Sequence, residues 1–154
     1  MDYEQKAEQL FCEGYNCAQA VFIAFAEPKI GRELAAEIAS AFGGGLAGTR
    51  NVCGTVSGAA MAYGLLRGYS DPAAKDEKSA EYSAVREITQ EFERQNGSII
   101  CRELLGLDKG TKFVAPSDRS VDYYKKRPCP KLCACAAGIL AKYLDEHPIA
   151  DEQK

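Results

Sequence analysis

The chain has 154 residues, enough for one domain with a sizeable core. Its net charge of -3 gives no sign of a nucleic-acid partner, and no apolar run approaches the roughly 18 residues of a membrane span. Seven cysteines stand beside one histidine, His147. A histidine-dependent triad and a multi-histidine metal site are thus excluded within one chain, and an odd number of cysteines cannot all pair internally.

Residues 2–13 predict a short amphipathic helix with Tyr3, Ala7, Leu10 and Phe11 on one side. Cys12, near its end and without a basic neighbour, reads as a packing residue. Gly14 breaks the pattern, and a second helix runs from Cys17 to about Ala26 with Ala18, Val21, Phe22 and Phe25 as its apolar face. Pro28 to Gly31 read as a turn. A third helix, from about Arg32 to Phe42, carries Leu34, Ile38 and Phe42 at steps of four.

A glycine-rich loop follows, with Gly43, Gly44, Gly45 and Gly48 in six positions, and no regular element runs through it. After Cys53 the period turns helical, with Val56, Ala59, Ala60, Tyr63 and Leu66 on one face. Gly54, Gly58 and Ala62 form a second row, small enough for another backbone to approach. This helix ends near Gly68. Asp71 as N-cap and Pro72 in the first turn predict the start of a long helix that stops at Gly97. Tyr82, Val85, Ile88 and Phe92 are its expected buried side. Lys75, Asp76, Glu77, Lys78, Glu87, Glu91 and Arg94 are its solvated side.

Residues 107–128 are the least regular, punctuated by Gly110, Pro116, Ser117 and Asp118, with Asp118 a cap for a short helix through Tyr124. The last helix begins near Cys129 and carries Leu132, Ala136, Ile139, Leu140, Tyr143 and Leu144. The polar tail from Asp145 to Lys154 is expected to fray. No segment shows sustained strand alternation, and no repeat or linker divides the chain. The expected fold is all-α, a single-domain bundle of about five to seven helices with its core over residues 3–144.

Four cysteines stand where helices begin: Cys17, Cys53, Cys101 and Cys129. Free N–H groups and the positive end of the helix dipole favour the thiolate, the form that binds metals and attacks disulfides. Basic residues lie close in sequence: Arg50, Arg102 and the run Lys125-Lys126-Arg127. Four thiolates meeting at one centre suit an iron–sulfur cluster or, less well, zinc, and the same setting would activate a free thiol for exchange. Cys133 lies one turn after Cys129 and could form a redox pair with it, whereas Cys135 points elsewhere on a regular helix. The glycine loop follows a helix and lacks the Gly-Lys-Ser/Thr ending of a phosphate loop, so it reads as a sharp turn.

Several segments resemble the redox-active proteins named for the C_GCAxxG_C_C cysteine pattern. They are Gly14-Tyr15-Asn16-Cys17-Ala18-Gln19-Ala20-Val21, Phe42-Gly43-Gly44-Gly45, Cys53-Gly54-Thr55-Val56-Ser57-Gly58 and Cys101-Arg102-Glu103-Leu104-Leu105-Gly106, followed by Cys129 with Ala136-Ala137 and Ile139-Leu140. The resemblance covers roughly residues 8–144 and implies that the family's four cysteines are Cys17, Cys53, Cys101 and Cys129. Thr55 stands where the family's central motif has alanine, and Cys12, Cys133 and Cys135 are additions, with Cys133 the alternative to Cys129 as the fourth metal ligand. Redox activity is what the resemblance implies. A similarity to the iron–sulfur part of split-Soret cytochromes would favour a cluster.

Covalent haem is not expected, because Cys-x-x-Cys-His is absent. The leading expectation is an iron–sulfur electron-transfer centre on these four cysteines. A metal-free thiol–disulfide protein and a structural zinc or interaction module are the alternatives. The expected partner is another redox protein, with no nucleic acid and no membrane, and a homodimer is left open. Met1 to Lys6 lack the basic and apolar parts of a signal peptide, so a cytoplasmic location is the default.

Overall fold

The most apolar stretch of the chain becomes the axis of the fold in the computed structural model, which describes residues 1–109 and 116–150. Helix α2 (Cys17–Ile30) buries every residue from Cys17 to Ala26 except Gln19. A helix apolar on all sides has to be wrapped by others. Helices α1 (Tyr3–Cys12), α3 (Arg32–Ala39), α4 (Gly54–Arg67) and α8 (Cys129–Glu146) all pack against it. Helix α5 (Lys75–Asn96) lies outside, against α4 and α8. Two short helices, α6 (Cys101–Leu104) and α7 (Val121–Lys126), bring the number among the described residues to eight. Six of these are longer than one or two turns, which is the all-α bundle the sequence predicts. None of them is long and apolar enough to cross a membrane.

Close approach of α4 to α2 depends on the row of small residues. A Cβ at Gly58 would lie 2.7 Å from the Ala18 carbonyl oxygen and 3.1 Å from Val21 Cβ. At Gly54 it would lie 2.5 Å from Cys17 Sγ. Phe11, Phe92, Leu10 and Ile23 fill the remaining core and are almost wholly buried. Each such side chain contributes about 1.5–3 kcal/mol.

Several expected boundaries and faces differ. Helix α2 continues through Pro28 to Ile30, because Gly31 at φ 81° supplies the stop and its N–H closes the last turn on Glu27. On α3 the buried residues are Ala35 and Ala39, whereas Leu34 and Ile38 are 48 % and 46 % exposed. Only small side chains fit where α3 lies tight on α2, a contact closed by Gln19 Nε2 donating to the Ala36 carbonyl. The α-helical turns end at Ala39, and Ser40–Phe42 form a 3-10 turn.

Helix α5 begins at Lys75. Asp71 instead closes a tight turn, accepting from the Ala73 N–H at 2.9 Å. Its buried side is Ala84, Ile88 and Phe92; Tyr82 is 57 % exposed, with Lys78 over its ring. Ser120, not Asp118, caps α7. Helix α8 runs past Leu144 to Glu146 because Arg67 donates to the Leu144 and His147 carbonyls and holds its end. Gly110 and the end of the tail, 151–154, lie outside the described residues.

The glycine loop is tied down by a pairing with no counterpart in the periodicity. Residues 50–53 run antiparallel to 99–102. Cys53 N–H donates to the Ile99 carbonyl at 2.7 Å, Cys101 N–H to Asn51 at 2.6 Å and Arg102 N–H to Arg50 at 3.1 Å. Cys53 and Cys101 thereby leave opposite ends of one short antiparallel bridge, each at the start of its own helix.

Candidate functional site

Each of the four helix-start cysteines is placed by a different local device. Cys17 is the first residue of α2, behind a reciprocal cap in which Gln19 N–H donates to Asn16 Oδ1 and Asn16 N–H to Gln19 Oε1. Asn16 Nδ2 also donates to the Ser40 carbonyl, which locks the cap onto the turn before the glycine loop. Cys53 is itself the N-cap of α4, Cys101 opens α6, and Cys129 opens α8 after Pro128.

All four line a single cavity of about 440 Å³, although they span the chain from Cys17 to Cys129. Within it the Cys17 and Cys53 thiols act on each other: a hydrogen bond from the Cys53 thiol stabilises the thiolate form of Cys17. That bond is the largest cause holding the Cys17 thiol down at about 6, and the Gly44, Ala18 and Cys17 N–H groups add to it against the cost of burial. Cys53 moves the other way: donating to Cys17, burial and the Cys17 charge push its thiol well up, with the Thr55 hydroxyl at 3.1 Å in partial opposition. Backbone N–H groups are a lesser cause at Cys17, and at Cys53 and Cys129 burial and the neighbouring Cys17 charge outweigh any helix-start effect. Burial pushes Cys129 up to about 11.

The cavity wall is positive. Arg50, Arg119 and Arg127 line it, and no aspartate or glutamate does so among the described residues. Arg50 reaches Cys101 rather than its sequence neighbour Cys53, with Nη1 at 3.6 Å from Cys101 Sγ. It is 7 % exposed, and its buried Nε has no partner among the described residues. Its backbone is left-handed at φ 60°, as are Leu46 and Ala47 at 75° and 49° in the same loop. Each such residue costs of order 1 kcal/mol, strain that clusters where a loop presents a group. Gly45 carries part of this turn: at φ +68° a Cβ would strike Cys101 Cβ at 2.7 Å.

Arg119, in the irregular segment, gives no periodic signal. It donates to the Phe11 and Tyr15 carbonyls and stacks over Phe11 and Tyr123. Arg127 donates to Ser117 Oγ and also lies over Tyr123. Arg102 is directed at the Thr49 carbonyl and is not part of the wall.

The other cysteines lie apart. Cys133 is fully buried beneath the Cys17 carbonyl, pushed well up by burial, and does not line the cavity. Cys135 faces Gln95 and Asn96 on α5. Cys12 is exposed, so the packing role read from its sequence position is not what it does. Among the described residues no three cysteine, histidine or acidic side chains are gathered tightly enough to hold a single metal ion. Cys17, Cys53, Cys101 and Cys129 share the lining of one cavity. Among the described residues, four soft donors, a cationic wall without carboxylates and a buried N–H without an acceptor are compatible in kind with an anionic sulfur-rich group.

Residues 15–143 match the model of a family described as "Putative redox-active protein (C_GCAxxG_C_C)". No curated protein and no solved structure matches the chain.

Proposed function

The chain belongs to this redox-active cysteine family, and from that premise we propose that it is an electron-transfer protein whose Cys17, Cys53, Cys101 and Cys129 hold an iron–sulfur cluster. The observation that carries the reading is the meeting of four helix-start cysteines at one cavity walled by arginines. A bound cluster supplies a one-electron couple that no side chain here provides. The residues around it do the rest. Backbone N–H groups at the start of α2 favour thiolate at Cys17, and Arg50 donates to the Cys101 sulfur. Gly54 leaves room for the Cys17 sulfur, and apolar walls such as Leu104 and Leu132 limit water.

Serine variants test the ligand set. In protein prepared without oxygen, Cys17→Ser, Cys53→Ser, Cys101→Ser and Cys129→Ser should each lose most of the visible sulfur-to-iron absorption, because serine oxygen is a harder donor. Cys12→Ser and Cys135→Ser should keep it. Retention of full absorption by any two of the first four would sink the assignment.

The contact between Cys17 and Cys53 favours a second reading, thiol–disulfide exchange. The Cys17 thiolate attacks a substrate disulfide, forming a mixed disulfide and releasing one thiol. Cys53, losing its proton, then attacks Cys17 Sγ, releasing the second thiol and leaving an oxidised Cys17–Cys53 pair. A reversible Cys17–Cys53 disulfide in iron-free protein, found by mass spectrometry, is the expected mark of this chemistry. Its absence after treatment with a small disulfide would remove the second reading.

A further inference from the structure

Arg50 is an expensive residue to place where it is. A guanidinium loses hydration on burial and normally recovers it from carboxylates or several carbonyls. The partner of the Arg50 side chain among the described residues is a sulfur: Nη1 donates to Cys101 Sγ at 3.6 Å, while Nε is buried and has no acceptor. The loop that delivers it is left-handed at Leu46, Ala47 and Arg50. The pairing of 50–53 with 99–102 fixes its backbone, the Arg50 N–H donating to Gly44 and its carbonyl accepting from Arg102. Neither of the other cavity arginines is held in this way. Arg119 is spent on the Phe11 and Tyr15 carbonyls and on aromatic rings, and Arg127 on Ser117 and Tyr123.

We infer that Arg50 is the positioning residue that sets the reduction potential of the four-cysteine centre. It acts through its hydrogen bond to Cys101, through a fixed positive charge on the cavity wall and through the Nε donor left for a further sulfur. The inference rests on the cluster reading and adds to it the group that decides how readily the centre accepts an electron. Reduction adds one electron from an external donor and one negative charge to the centre, and no bond at Arg50 forms or breaks. A nearby cation and its hydrogen bonds stabilise the more negative, reduced state more than the oxidised one, so Arg50 raises the potential. Arginine suits the task because it stays protonated when buried and presents several donors in one plane.

The test is a potentiometric titration with dithionite of the full chain, reconstituted with iron and sulfide without oxygen, for wild type, Arg50→Lys and Arg50→Gln. Arg50→Gln should shift the reduction equilibrium at least tenfold towards the oxidised form, about 59 mV more negative for one electron. Arg50→Lys should fall between, keeping charge without the fork. Iron content and far-ultraviolet circular dichroism should match wild type. Equal potentials for wild type and Arg50→Gln at equal iron content would overturn the role of Arg50 and leave the cluster standing. If Arg50→Gln does not hold iron, Arg50→Lys decides: a lowered potential supports the assignment and an unchanged one overturns it. A wild type that takes up no iron removes both the cluster and the inference.

Discussion

Cys17 and Cys53 show how little a residue's own position decides its chemistry. Both begin helices, yet one thiol is held down at about 6 and the other is pushed well up, because the second donates to the first. In metal-free protein the Cys17 thiolate should therefore be populated from about pH 6 upward, while Cys53 and Cys129 stay protonated at neutral pH. Alkylation by iodoacetamide, followed by peptide mapping across pH, should show Cys17 reacting ahead of Cys53 and Cys129. Removing the donor in Cys53→Ala takes away the largest cause of the lowering, so the Cys17 inflection should move to higher pH. An inflection that stays put would mean that backbone N–H groups alone stabilise the thiolate. None of this polarity can be read from spacing, since it arises from a contact between positions 17 and 53. Arg50 teaches the same lesson: its sequence neighbour is Cys53, but the turned backbone sends it to Cys101.

At the scale of elements, the pairing of α2 with α4 is the contact on which the site depends. Gly58→Ala sets two effects against each other. Alanine raises intrinsic helix stability by up to about 1 kcal/mol. Its Cβ, however, would meet the Ala18 carbonyl at 2.7 Å, backbone that cannot rotate away. Overpacking of this kind costs about 1–3 kcal/mol, so the variant should unfold at lower denaturant concentration than wild type. An equal or higher midpoint would show that α4 can slide off α2 freely. This contact was legible as a row of Gly54, Gly58 and Ala62 at steps of four. The face of α3 was not, because Leu34, Ile38 and Phe42 have the better periodicity while Ala35 and Ala39 have the better size. Periodicity reports which side is apolar; closeness of approach selects small residues, and a hydropathy pattern underweights them.

The whole molecule brings cationic side chains to a cavity inside a chain of net charge -3. The helix starts at the four cysteines and the glycine breaks beside them were visible one segment at a time, whereas the starts of α5 and α7 were not. The cavity was not, because it exists only when α2, α4, α6 and α8 meet, and because Arg119 and the 50–53 bridge to 99–102 leave no periodic trace. That meeting sets Cys17, Cys53, Cys101 and Cys129 apart from Cys12, Cys133 and Cys135, which do not line the cavity. The direct measurement is iron and acid-labile sulfide per chain in protein purified without oxygen and reconstituted. The cluster account predicts iron and sulfide bound together in near-equal, whole-number amounts that Cys53→Ser reduces sharply. A wild-type chain that stays colourless and free of iron after reconstitution would contradict it.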